Sequence, residues 1–258
     1  MALASVQKTK SVRDQVSKEE WQKRVDLAAC YRLMHVYGLT EMIANHISAR
    51  VPGEDGVFLI NPYGMLYEEM NASCFLKIDL DGNIVFNPTE YDVNKAGYVI
   101  HSAIHAARHD VDCCIHTHSL EGMAVSAMKV GLMPIAQSAM RHSDIAYHDY
   151  EGPALNLDER ERLVNDLGNR EVMILRNHGL LAVGPSIAEC FNNIFRLERA
   201  CQLQVMTLSC NTEIQLPPAE VVKHTQDGFK HGVRREWGKL EWPALLRKLD
   251  RIDPSFRD

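Results

Sequence analysis

Asp112-Cys113-Cys114-Ile115-His116-Thr117-His118 (DCCIHTH) reads as a short apolar strand, set between VNKAGYVIHSAIHAARHD (93–110) and EGMAVSAMKV (121–130), both with helical spacing. Helix, strand and helix in succession point to an α/β chain. In a strand, residues i and i+2 share a face, so His116 and His118 project together while Ile115 and Thr117 face the other way. Such a pair can offer two imidazoles to one cation at about 2.0–2.1 Å each. The competing reading is two solvent-facing or hydrogen-bonded histidines. Adjacent cysteines point to opposite faces, so only Cys114 shares the histidine face, one residue pair further back.

A third ligand must come from elsewhere. In LRNHGLLAVG (175–184), His178 leaves an apolar strand directly before a glycine that lets the backbone turn. His101, His105 and His109 fall at i, i+4 and i+8 of a helix and are expected to form a partly exposed face rather than a ligand set. His142 and His148 lie in RHSDIAYHDY (141–150), a polar connecting segment in which either role is open.

Around this centre, Ser17 and Glu20 form a capping box for a helix that carries Trp21, Val25, Ala28, Leu33 and Val36 to Gly38. NHISARV, GVFLINP, FLKIDL and NIVFN, broken by PGEDG and DLDGN, suggest an antiparallel meander. Asp158 with Glu161 opens a further helix, EVMILRNHG forms a strand running into a turn, and a long helix extends from Pro185 to about Cys210. Two proline-started helices follow, at PPAEVV and WPALLRKL. Residues 1–16 are expected to be a flexible arm and 17–258 a single domain.

The 258 residues are 46% hydrophobic and 24% charged, the balance of an ordinary globular protein. A formal charge of −6 removes the electrostatic drive for nucleic-acid binding. No apolar run is long enough to span a membrane, and no secretory signal stands at the start. Seven cysteines without module-like spacing fit reduced thiols in a cytoplasmic protein.

NHISAR (45–50), NPYGMLYEEMNASCFLKID (61–79), AGYVIHSAIHAAR (96–108), CCIHTHSLEGMAVSAMKVGLMPI (113–135), AYHDYEG (146–152) and LRNHGLLAVG together resemble the class II aldolase/adducin superfamily, and within it the adducin head-domain branch. The resemblance implies a three-layer α/β/α fold with a mainly antiparallel central sheet. It also implies a homo-oligomer, commonly a ring-shaped tetramer with sites between neighbours. Carried onto this chain, the metal ligands are His116, His118 and His178, with Zn2+ the expected ion and Mn2+, Fe2+ or Co2+ as alternatives. Asn45 matches the family's asparagine near the substrate.

The departures are as informative. The aldolases carry a glutamate four residues before the histidine that is His101 here, and this chain has Gly97. Their phosphate cradle is replaced by Asn61-Pro62-Tyr63-Gly64 and by Lys95 and Ala96, and their proton-donating tyrosine falls near Gln137 and Ser138. A base would then come from Glu121, Tyr147, His148 or a metal-bound hydroxide, or from nowhere. Arg141 or Arg176 is a candidate to pair with a substrate carboxylate, and the space beside Gly97 is expected to admit the substrate.

These features point to a divalent-metal-dependent lyase, aldolase-like or decarboxylating, acting on a small oxygenated carbonyl compound or acid. Decarboxylation is favoured because it needs an electron sink but no deprotonation of a substrate hydroxyl. The alternatives are a non-catalytic adducin-head-like interaction protein and a three-histidine iron oxygenase. The chain ends at RIDPSFRD without a lysine-rich run, which favours the metalloenzyme over the cytoskeletal module. Trp237, Leu240, Trp242 and Leu246 near the C-terminus are candidates to cover a neighbouring subunit.

Overall fold

The computed structural model describes residues 10–152, 158–230 and 232–258, so most of the expected N-terminal arm lies outside the described residues. Helix α1 (Lys18–Val36) begins where Ser17 accepts the Glu20 N–H and stops at Gly38, whose φ of 70° suits a residue without Cβ. Strands β1 (His46–Arg50), β2 (Val57–Ile60), β3 (Leu76–Asp79) and β4 (Ile84–Phe86) then form the anticipated meander. The Asp79 carboxylate accepts the Asp81 and Asn83 N–H groups and closes the last turn.

Helix α2 (Lys95–Ala107) leads into β5 (Cys113–Thr117), which is followed by α3 (Leu120–Ser126) and the short α4 (Gln137–Met140). Strand β6 (Ala146–His148), helix α5 (Glu159–Leu167) and strands β7 (Val172–Leu175) and β8 (Gly179–Gly184) complete the sheet. Helices α6 (Ile187–Ser209), α7 (Ala219–Gly228) and α8 (Glu241–Ile252) follow.

The eight strands run in the order β4-β3-β2-β1-β5-β8-β7-β6, and every pair is antiparallel except β6 with β7. Ile100 and Ile104 of α2 and Leu163 and Leu167 of α5 pack on one face, against Cys114, Met173 and Leu181. Residues of α1, α6 and α8 pack on the other, against Cys113, Ile115, Ile174 and Leu180. The fold is therefore a three-layer α/β/α sandwich with a mainly antiparallel sheet, and the two adjacent cysteines do face opposite layers.

Three expectations need correction. The segment read as a polar connection around Tyr147 contains β6, and GLLAVG, left unassigned after the turn, forms β8. Trp237 and Trp242 are buried within their own chain and Leu246 packs on its core, so of the four residues proposed to cover a neighbour only Leu240 stays exposed. The stripe His101 and His105 is buried beneath the sheet, and only His109 is exposed.

Between β5 and β8 there is no room for a side chain at Gly179, where an added Cβ would lie 2.2 Å from the Thr117 carbonyl oxygen. A Gly179→Ala substitution must push the strands apart and is predicted to cost on the order of 2–3 kcal/mol. Urea denaturation would measure it, and an unchanged midpoint would refute the steric account.

Candidate metal centre

At the end of β5 the chain delivers His116 from the strand and His118 from just beyond it. The β7–β8 turn delivers His178 through Asn177, which adopts a left-handed φ of 54°. One ligand atom from each lies within 4.8 Å of the other two. The Nε2 atoms of His116 and His118 are 2.8 Å apart, and those of His118 and His178 are 3.0 Å apart.

The other ring nitrogens determine what these atoms can do. His116 Nδ1 is 2.9 Å from the Leu180 carbonyl oxygen and His118 Nδ1 is 2.7 Å from a Glu41 carboxylate oxygen. Both partners can only accept, so each Nδ1 carries a proton and, in the neutral ring, Nε2 presents a lone pair. Burial, reinforced by neighbouring imidazoles, holds His116 well below its ordinary pKa, and His178 is lowered to about 4 chiefly by burial. Imidazole nitrogens converging in this way suit an electropositive partner, and the donor set fits one divalent cation.

The position of the absent glutamate is filled. His46 pairs with His116 across β1 and β5, and its ring lies where a side chain at residue 97 would begin: an added Cβ on Gly97 would meet His46 Cδ2 at 2.6 Å. Gly97 therefore leaves no open passage for a substrate, contrary to the expectation from sequence. His46 Nδ1 contacts His101 Nε2 at 2.7 Å, and Ser48 Oγ joins His101 Nδ1 to His105 Nε2. Burial keeps all three of these imidazoles neutral, with His105 lowered to about 3. What spacing suggested was a surface stripe is a buried polar row leading to the centre.

The remaining candidates separate. Asn45 is buried, its Oδ1 accepts the Glu41 N–H at 2.9 Å, and its Nδ2 has no hydrogen-bond partner among the described residues. It thus offers a free donor from the loop that also carries Glu41 to His118. His148 lies near His178 in a small cleft but is held by Asp166 at 2.7 Å and Glu159 at 3.2 Å. Tyr147 accepts the Leu132 N–H and packs on the α6 side of the sheet. Glu121 stands in the first turn of α3, and no bond joins it to the three histidines. Arg176 lies over the Tyr147 ring and donates to Met128. Arg141 lies at the opposite end of β5 and β8 and does not enter the cluster. Sequence reasoning missed Glu41, His46 and Tyr150, whose ring is 6.1 Å from that of His178. Of these His46, in NHISAR, and Tyr150, in AYHDYEG, lie in stretches that carried the resemblance, whereas Glu41 lies in none of them.

A sandwich with an HxH strand end and a histidine at a neighbouring strand turn defines a family, and a model of the Class II Aldolase and Adducin N-terminal domain matches residues 25–205. The chain belongs to that family. It is 50% identical to a Caulobacter vibrioides protein that bears a provisional class 2 aldolase name, over 97% of either chain. It is 40% identical to mouse alpha-adducin over 93% of its own length, which spans 35% of the adducin. A crystal structure of an aldolase II superfamily protein from Pseudomonas syringae superposes with a TM-score of 0.90 at 50% identity, covering 96% of this chain and 100% of that one.

Beneath the centre, on the other face of the sheet, Glu198 of α6 ties down the HxH segment. It accepts from Thr117 Oγ1 at 2.7 Å and from Ser119 Oγ, and burial pushes it from 4.5 to about 7. An acid raised on folding binds its proton more tightly in the native state, so its contribution is fully present below pH 4.5 and is lost as the pH rises to about 7. The loss amounts to about 3 kcal/mol. In chemical denaturation at pH 5 and pH 8, Glu198→Gln should gain on the native chain at the higher pH. Parallel pH profiles for the two proteins would contradict this.

Proposed function

We propose that the chain is a divalent-metal-dependent lyase that breaks a carbon–carbon bond in a small oxygenated acid or carbonyl compound, with Zn2+ as the expected ion. The carrying observation is the convergence of three Nε2 atoms, two of them in rings whose Nδ1 is anchored by an acceptor. A divalent ion held there would polarise a carbonyl and stabilise the negative charge left on oxygen when the bond breaks. Asn45 Nδ2 is the group best placed by its lack of partners to hold a substrate oxygen.

Decarboxylation is preferred to aldol cleavage of sugar phosphates. Residue 97 carries no carboxylate, and the room beside it holds an imidazole kept neutral and hydrogen-bonded to His101. A second reading, an adducin-like interaction module, is favoured by the 40% identity to alpha-adducin. In either case a homo-oligomer, probed by light scattering, is the expected assembly.

Elemental analysis of protein purified without added metal should give about one divalent ion per chain, falling below a tenth in His116→Ala and His178→Ala. The loaded protein should release CO2 from a member of a 2-keto and 2-hydroxy acid panel. It should cleave fuculose- and rhamnulose-type phosphates at least 10²-fold more slowly than an aldolase with its base in place. Metal well under one per chain after zinc reconstitution would sink the metalloenzyme reading. Full occupancy with no lyase activity would leave the interaction module.

A further inference from the structure

A cavity of about 730 Å³ opens at the end of β5 and β8 remote from the histidines, lined by Val111, Arg141, His142, Val183 and Phe229 among others. Cys113 pairs with Gly184 at this end and Thr117 with Leu180 at the other, so about 13 Å of strand separates the two places. Most charges on its wall are matched: Arg108 pairs with Asp110, Arg170 with Asp144, Lys230 with Asp227, and Glu171 with Arg234.

Arg141 is the exception. Its side chain is buried at 9% exposure, yet no carboxylate lies within ion-pair distance of it among the described residues. Two of its five N–H groups reach the Asn192 and Asn193 amide oxygens, at 3.3 and 2.8 Å. The guanidinium lies 4.1 Å from the Trp237 ring centre and 5.9 Å from that of Phe229. Arg196 and Arg234 repel it, whereas Glu171 and Glu189 attract it only from beyond contact, and burial lowers its pKa to about 9. Next to it His142 is buried and neutral, and its Nε2 has no partner among the described residues. A buried cation short of an acceptor and a buried imidazole nitrogen without a partner among the described residues face one cavity.

We propose that this cavity binds a small organic anion, a carboxylate or a phosphate monoester. Its oxygens take the free Arg141 N–H groups and the His142 Nε2–H, and its body packs against Phe229 and the valines. The arginine supplies the fork geometry suited to an oxyanion, and the aromatic rings keep that fork in place. The site is independent of the metal centre and of any activity there.

Benzoate and phenyl phosphate test it and separate the two classes, by calorimetric titration of the whole protein at low ionic strength. One of them should bind saturably, once per chain, at least tenfold more weakly in Arg141→Met and at least threefold more weakly in Arg141→Lys. Its affinity in His116→Ala should stay within twofold of the native value. The native chain binding neither probe would overturn the proposal. So would affinity surviving in Arg141→Lys, which decides alone if Arg141→Met does not fold, or binding lost in His116→Ala, which would place the anion at the histidines.

Discussion

The histidine cluster depends on how closely β5 and β8 can approach, and that approach depends on the missing side chain at Gly179. The ladder between these strands sets Thr117 opposite Leu180, so that the Leu180 carbonyl meets His116 and the turn before Gly179 carries His178 towards His118. Burial then sets the charge state. With α2 and β1 closing one side, His116 and its neighbour His46 are stripped of water and held neutral, the form in which an imidazole nitrogen can act as a ligand.

Much of this was legible in the residues. The alternation of HxH and the position of His178 before a glycine singled out three histidines that the fold does bring together, because both signals are local. The meander, the long helix after Pro185 and the opposite facing of Cys113 and Cys114 followed from periodicity in the same way. GLLAVG was not legible as a strand, since a buried strand next to a turn has no alternation to reveal it.

What escaped altogether was pairing between distant segments. The placement of His46 against Gly97 depends on the β1–β5 register together with the docking of α2. Nothing in NHISAR or in KAGYVIH shows that the two will touch. The burial of His101 and His105 has the same origin: Ser48, more than fifty residues earlier, supplies the hydroxyl that makes a polar helix face tolerable inside the molecule. Arg141 illustrates the reverse error, in which the right residue type was placed at the wrong end of the strands.

The two anchored imidazoles differ in what holds them. His116 is fixed by a main-chain oxygen that any residue at position 180 would provide, whereas His118 is fixed by the side chain of Glu41, on a loop whose neighbour Met42 is largely exposed. One half of the centre is thus insulated from sequence drift, and the other half is adjustable by a single codon outside the core. Under the proposed metal reading, a change at Glu41 would retune the electron-donating strength of the His118 imidazole, and so the ion preferred there, without disturbing the strands that present it.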